Sequence, residues 1–304
     1  MNTIARIKKL IKNPLIIFPH LGFNQKLNFL SDKTYLKLLF RSRMKKRLNL
    51  EEPETFSEKL QYLKLYDRNP LYTKLVDKYE VREYISNTIG EEYLVPLYGV
   101  WEEFEDIDFA KLPNQFVLKT THDSGGVVIC QNKQKLDLEK AKKIINKSLH
   151  KNYYYEGREW PYKNVQARII CEKYLKDYSA TGIKDYKFLC FHGEPAIMIV
   201  ATGPQDNRTK DFYDLNFNPI NVKQMYPNNP FEIKKPEHFD RMISLSRTLS
   251  ANIPHVRVDF YEIDGKIFFG ELTFYHFSGM VDFQPKNYDY ELGELLDLSE
   301  IRKT

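Results

Sequence analysis

Alternating apolar and polar residues run along Val256-Arg257-Val258-Asp259-Phe260-Tyr261 and again along Lys266-Ile267-Phe268-Phe269-Gly270-Glu271-Leu272-Thr273, on either side of Asp264-Gly265. A period of two interrupted by Asp-Gly predicts an antiparallel hairpin, because that pair readily adopts the positive φ angles of a tight turn. Asp259 and Glu271 stand five and six residues from the turn, so pairing brings the two carboxylates together. Two like charges that close need a cation. Mg²⁺ is commonly held by one or two carboxylates and completed by phosphate oxygens, although carboxylates on strands are more often simply solvated.

Upstream, the period is first helical and then strand-like. Residues 1–66 carry apolar positions at helical spacing, Ile4, Ile7 and Ile11, then Tyr35, Leu38 and Leu39. Thr55 and Glu58 have capping-box spacing and open a further helix. Residues 74–86 read as one helix and 93–98 as a short strand. Two apolar strands, the first ending in Lys119 and the second running from Val127 to Cys130, flank Thr121-His122-Asp123-Ser124-Gly125-Gly126. The glycines there allow backbone N–H groups to approach a phosphate, with Lys119 to offset its charge; an ordinary hairpin is the competing reading. Neither a Walker loop nor G-x-G-x-x-G is present. A basic helix over 137–150 is expected to pack on this hairpin. Ala167–Leu175 and Asp185–Val200 read as one strand and as two strands around a His-Gly-Glu turn, Phe212–Pro219 as a further short strand, and 237–252 as an amphipathic helix. Strands in pairs with helices between them indicate α+β packing.

Composition narrows the class. With 304 residues, 42% hydrophobic and 29% charged, the chain can bury a core without disulfides, and its 21 Tyr and 20 Phe supply much of it. Cys130, Cys171 and Cys190 show no metal or redox spacing and read as buried thiols. No apolar run is long enough to span a membrane, and Lys8, Lys9, Lys12, Pro14 and Pro19 break up the N-terminal stretch, so a cytoplasmic location is expected. Residues 1–50 hold twelve Lys or Arg against the single acid Asp32, a net +11, whereas the whole chain is +5. The rest is therefore net −6, which argues against a nucleic-acid-binding face. The basic segment reads as a solvated surface or as peripheral contact with the inner membrane face.

Taken in order, these pieces resemble the ATP-grasp family. Asp77-Lys78 is similar to the site of a phosphate-contacting lysine, Lys119 to a second, and Thr121, Ser124, Gly125 and Gly126 to the loop that closes over the phosphates. Glu172-Lys173-Tyr174-Leu175 looks like the hinge that reads the purine and ribose. Lys187 looks like the basic residue at the γ-phosphate, and Asp259 with Glu271 like the Mg²⁺ pair. Phe56-Ser57-Glu58-Lys59-Leu60, Phe212-Tyr213-Asp214 and Gly270-Glu271-Leu272-Thr273-Phe274 are most similar to the TupA-like branch of surface-polysaccharide biosynthesis, over roughly residues 50–285.

The resemblance implies a basic helical region over 1–66 and an α+β ATP-grasp domain over 67–304, with lobes near 110–175 and 176–290. It also implies ATP and Mg²⁺ as cofactors, and a ligase that joins a carboxylate, a uronic acid or amino acid of a polymer precursor, to an amine through an acyl-phosphate. Arg257 and His276 would bind the carboxylate or assist amine deprotonation. Thr273 and Tyr275 stand where many members carry Asn and Arg, which implies a weaker or singly occupied second metal site. The alternatives are a glycosyltransferase using a nucleotide sugar, which lacks support from a D-x-D triplet beside a βαβ unit, and a non-catalytic nucleotide-binding scaffold.

Overall fold

The computed structural model describes residues 18–123, 125–177 and 182–301; Ile4, Ile7, Ile11 and the loop residue Ser124 lie outside the described residues. The chain divides into two compact units, one of Met1–Asn69, Tyr153–Trp160 and Tyr275–Thr304, the other of Pro70–Asn152 and Pro161–Phe274.

The first unit is built on helices Asp32–Met44 and Phe56–Tyr66. Ser31 caps the first. The second opens with the expected capping box, in which Thr55 Oγ1 accepts from Glu58 N at 3.3 Å and Glu58 Oε2 from Thr55 N at 3.2 Å. Their apolar faces pack Tyr35, Leu36, Leu39 and Phe40 with Tyr62 and Met280. Asp289 Oδ1 accepts from Ser57 N at 2.9 Å and Ser57 Oγ at 2.8 Å. Residues 153–160 and 275–304 therefore belong with the N-terminal segment, since they supply both core and hydrogen-bond partners that it lacks by itself. Among the described residues, no helix is long and apolar enough to cross a membrane.

The second unit holds two antiparallel sheets. The smaller has the order β1-β4-β2-β3, with β1 Leu97–Trp101, β2 Phe116–Thr120, β3 Val127–Cys130 and β4 Ile169–Lys173. Phe116, Leu118, Val128, Cys130 and Cys171 turn inward against Ala141 and Ile145 of the helix Leu138–Leu149, as expected. The intervening Val117, Lys119, Val127 and Ile129 lie on the opposite face, paired Lys119 with Val127 and Val117 with Ile129. The larger sheet runs β11-β10-β5-β6-β7-β8, from β5 Asp185–Phe191, β6 Glu194–Thr202, β7 Thr209–Tyr213, β8 Pro219–Ile220, β10 His255–Ile263 and β11 Lys266–Thr273; the two-residue β9 is Lys223–Gln224. Helix Phe239–Ser250 covers it, with Phe239 6.1 Å from the Phe188 ring. The three cysteines are buried and free.

Three elements differ from the expected pattern. Residues 74–86 form two helices, Leu71–Val76 and Val81–Thr88, because Asp77 Oδ1 accepts the N–H groups of Tyr79 and Glu80 at 2.8 and 3.3 Å and interrupts the helical ladder. The strand expected at 93–98 begins only at Leu97, after Pro96, which has no N–H to give a ladder. Phe212–Pro219 is split into β7 and β8 by Asp214, whose Oδ1 accepts from Asn216 N and Asn218 N at 2.9 and 2.8 Å.

Candidate active site

On the β10–β11 ladder Asp259 pairs directly with Glu271. Counting back from the turn, regular pairing would set Asp259 against Gly270. A bulge between Asp259 and Phe260 takes up that one-residue difference and places both carboxylates opposite each other. Gly270 suits the bulge, since a Cβ there would lie 3.1 Å from Asp259 O.

The cation that this carboxylate pair needs is supplied by the protein. Arg257, two residues along the same strand face, gives Nε to Asp259 Oδ1 and Nη2 to Asp259 Oδ2, both at 2.7 Å, and Nη2 also reaches Glu271 Oε1 at 2.7 Å. Lys187, registered opposite Asp259 from β5, donates Nζ to Oδ2 at 2.5 Å. Arg257, Asp259 and Lys187 are buried, while the Glu271 side chain is 43% exposed. Burial by itself would raise the Asp259 pKa, but Arg257 and Lys187 more than offset it and hold the carboxyl below its ordinary value. Burial would likewise lower Arg257; Asp259 and Glu271 overcome it and push the guanidinium upward. Thr273 Oγ1 donates to Glu271 Oε1 at 3.0 Å.

Sequence reading missed Lys210 on β7. It is buried, and desolvation, with Arg257 and Lys187 adding to it, lowers its pKa to about 6, Asp259 opposing. The signal was there in the period of two, since Lys210 and Phe212 are both inward positions flanking Asp211.

The donor chemistry fits Mg²⁺. Asp259 and Glu271 offer two hard carboxylates, the number that phosphate and water oxygens normally complete.

The smaller sheet carries a matching feature. Glu172 on β4 receives Lys119 Nζ at 2.7 Å and Arg82 Nη1 at 3.1 Å, and Arg82 Nη2 is fixed on Val95 O at 2.9 Å. Arg82 is a further residue that sequence reading did not single out. β4 ends at Lys173, so Tyr174 and Leu175 lie beyond the strand; Tyr174 OH accepts from Gln131 Nε2 at 3.0 Å. Val127 and Ile129, 40% and 59% exposed, make the face beside Lys119 apolar. A cavity of about 30 Å³ is lined by Lys78, Arg82, Lys119 and Glu172 from one side and Tyr261 and Gly270 from the hairpin. The charged cluster of the smaller sheet thus faces the hairpin across a space wide enough for a water molecule.

Lys78 sits in the break between the two helices. Its N–H donates to Thr121 O at 3.1 Å and its Nζ to Asp123 O. Burial lowers its pKa, opposed by Glu271 and Asp123 and reinforced by Lys119, which places its ammonium in the field of both sheets. The loop itself is anchored inward. Asp123 accepts from Thr120 Oγ1 at 2.5 Å, from Gly126 N at 3.2 Å and from Ser148 Oγ. The Gly126 N–H expected at a phosphate is therefore engaged by Asp123, and Gly126 is required for another reason: a Cβ would overlap the Thr120 and Ser148 hydroxyls. Gly125 has ordinary space around it. Thr121 Oγ1 donates to Gln166 O at 3.2 Å, and His122 Nε2 lies 3.2 and 3.0 Å from Ser148 O and Lys151 O, so neither side chain is turned to a ligand. His276 belongs to the first unit and is buried, with its ring 4.7 Å from that of Phe277.

A family model for TupA-like ATP-grasp proteins matches residues 58–297. No curated protein matches the sequence. Among solved structures, the ATP complex of D-alanine–D-alanine ligase from Bacillus anthracis is similar at 17% identity and TM-score 0.39 over 66% of this chain, which spans 54% of that ligase. The D-alanine–D-alanine ligase of Helicobacter pylori is similar at 12% identity and TM-score 0.41, over 81% of this chain and 70% of that one. The ATP-grasp ligase PsnB, solved with a minimal precursor, Mg and ADP, shares 12% identity at TM-score 0.38, over 84% of this chain and 66% of its own.

Proposed function

This chain belongs to the TupA-like ATP-grasp family, and from that premise we propose that it is an ATP-dependent carboxylate–amine ligase whose nucleotide site lies between the sheets of the second unit. The observation that carries this reading is the pairing of Asp259 with Glu271 in the midst of Arg257, Lys187 and Lys210, with Lys78 within the field of Glu271. Arg257, Lys187, Lys210 and Lys78 gather there with Asp259, Glu271 and Asp185, and a polyanionic ligand would restore the charge of Lys210.

In this reading Lys78, Lys119 and Lys210 contact the triphosphate, and Glu172 with Lys173, Tyr174 and Leu175 receives the base and ribose against the apolar face of Val127 and Ile129. Asp259 and Glu271 would hold Mg²⁺, which would supply neutralisation of phosphate charge. For that, Arg257 exchanges one carboxylate contact for the substrate carboxylate. Lys187 stabilises charge on the γ-phosphoryl group as the substrate carboxylate attacks phosphorus and ADP leaves. An amine then attacks the acyl carbon, releases phosphate and leaves an amide. The protein contributes positioning and fixed charge, the main demands of phosphoryl transfer. The carboxylate class we assign, from the TupA-like resemblance, is a uronic acid or amino acid of a surface-polymer precursor. His276, five residues past Glu271 in the sequence, is assigned to assist amine deprotonation.

The test is Mg·ATP turnover with a panel of acidic sugars and amino acids, each with and without an amine. ADP release that requires both substrates, yields an amide and is lost in Glu271→Gln is the expected outcome. Sugar transfer from a nucleotide sugar without ATP consumption refutes the ligase reading.

A further inference from the structure

The first unit contains a serine and a lysine that the ligase reading does not use. Phe277, Ser278 and Gly279 all have positive φ, at 48°, 58° and 62°, a left-handed run that two L-residues adopt only where surrounding contacts hold it. Ser278 stands half-buried on this sharp turn. Lys64, on helix Phe56–Tyr66, is 1% exposed and directs Nζ at Ser278 Oγ at 2.7 Å, Ser278 O at 2.8 Å and Gln61 Oε1 at 3.0 Å. The Gln61 amide is oriented by its own donations, Nε2 to Ser57 O, Ser278 O and Gly279 O at 3.0, 3.0 and 3.2 Å, so its oxygen faces Lys64. Gly157 leaves room for the serine, since a Cβ there would overlap Ser278 Oγ.

The three contacts of Lys64 divide in a particular way. A neutral amine has two N–H donors and one lone pair. As the ammonium, Nζ donates to all three; once it loses a proton, Gln61 Oε1 and Ser278 O, which can only accept, take both remaining donors and leave the lone pair facing the Ser278 hydroxyl. Burial favours this neutral form, lowering the Lys64 pKa to about 8, with Glu159 opposing. The Tyr275 ring lies 5.6 Å from the amine. A weak nucleophile next to a desolvated amine, on a strained turn, is the arrangement that activates a hydroxyl for attack.

We propose that Ser278 and Lys64 form a nucleophile–base pair that accepts an acyl group from an activated ester, without ATP. Ser278 Oγ attacks the ester carbonyl carbon while its proton passes to Lys64 Nζ. The bond from that carbon to the leaving oxygen breaks, its electron pair goes to that oxygen, which takes the proton from Lys64 and departs as an alcohol or phenol, and the acyl group remains as a serine ester. Water or an amine then attacks the ester carbon and gives a proton to Lys64, and the serine oxygen leaves with the electron pair of the broken bond and takes that proton.

The experiment uses the full chain with p-nitrophenyl acetate, in the absence of ATP and metal, so its outcome does not depend on the ligase reading. The expected result is release of p-nitrophenolate with one acetyl group on the Ser278 peptide, found by mass spectrometry, at a rate that rises through pH about 8 as Lys64 loses its proton. Ser278→Ala loses that adduct. Lys64→Arg keeps a buried cation and donors for both carbonyls but accepts no proton, and should slow acetylation of Ser278 by at least ~100-fold with its circular dichroism and melting retained. Acetylation confined to other residues, a rate indifferent to pH in this range, or a folded Lys64→Arg that labels as fast as the wild type overturns the proposal and leaves Lys64 as an anchor for the turn. Should Lys64→Arg fail to fold, the wild-type pH profile and the labelled peptide decide the matter alone.

Discussion

Asp259 in the larger sheet and Glu172 in the smaller are each held by two cations, yet their surroundings differ. Asp259 and its partners Arg257 and Lys187 are sealed, with side chains at most 10% exposed. Around Glu172 the cations are more open, Arg82 at 16% and Lys119 at 27%. A sealed set of charges is coupled tightly, because each member's desolvation is offset mainly by its charged neighbours. An open set can exchange a partner for a ligand at lower cost, since water covers the change. The charges of the larger sheet are therefore costly to rearrange unless a ligand replaces the lost partner, and those of the smaller sheet exchange more readily.

The largest test of this contrast is Asp259→Ala, which leaves Arg257 and Lys187 buried without their shared carboxylate. We expect a loss of about 3–5 kcal/mol in urea unfolding, and a loss below about 1 kcal/mol would remove the distinction. Gly126→Ala forces a methyl group against the Thr120 and Ser148 hydroxyls, and should cost about 1–3 kcal/mol through strain of the loop anchor; unchanged thermal melting would show that the anchor yields freely. Glu172→Gln, in the open set, should change stability by no more than about 1 kcal/mol while weakening ATP binding, measured by calorimetry. A stability loss as large as that of Asp259→Ala would make the two sets equivalent.

The smallest effect expected is a proton. Lys210 has a folded pKa of about 6, far below that of an exposed lysine, so it is neutral in the free protein at pH 7–8. A triphosphate bound beside it raises that pKa, and the protein should take up as much as one proton on binding Mg·ATP, read by calorimetry in two buffers of different ionisation enthalpy. Lys210→Met should remove the uptake. The same depression means that the unfolded chain binds more protons than the native one between pH about 6 and the ordinary lysine range. Stability should therefore rise with pH across that window, and less so in Lys210→Met.

Much of the fold was legible from short-range pattern. The Asp264-Gly265 turn, the Thr55–Glu58 capping box and the helix packed on the β2–β3 hairpin each follow from local periodicity or turn chemistry. The failures were also local. Asp77 and Asp214 look like ordinary polar residues of a helix and a strand, and their side chains instead capture backbone N–H groups and end those elements. In the candidate site, Asp259 and Glu271 were identifiable because an apolar ladder made them conspicuous. Lys210 and Arg82 were not, as a basic residue on a short strand or a helix carries no mark of what it will face.

The sequence by itself determined the β10–β11 hairpin and that two carboxylates would meet on it, since turn type and a period of two act over a few residues. It also carried enough ordered motifs to indicate the family. Only the tertiary structure decided which cation answers those carboxylates. The Gly270 bulge brings Asp259 opposite Glu271, Arg257 reaches both from the same strand face, and β5 delivers Lys187 from seventy-two residues away. Likewise, nothing local joins Lys64 to Ser278 across 214 residues. Charge pairing and pKa depend on distance in space and on burial, and neither is a property of neighbouring positions along a chain.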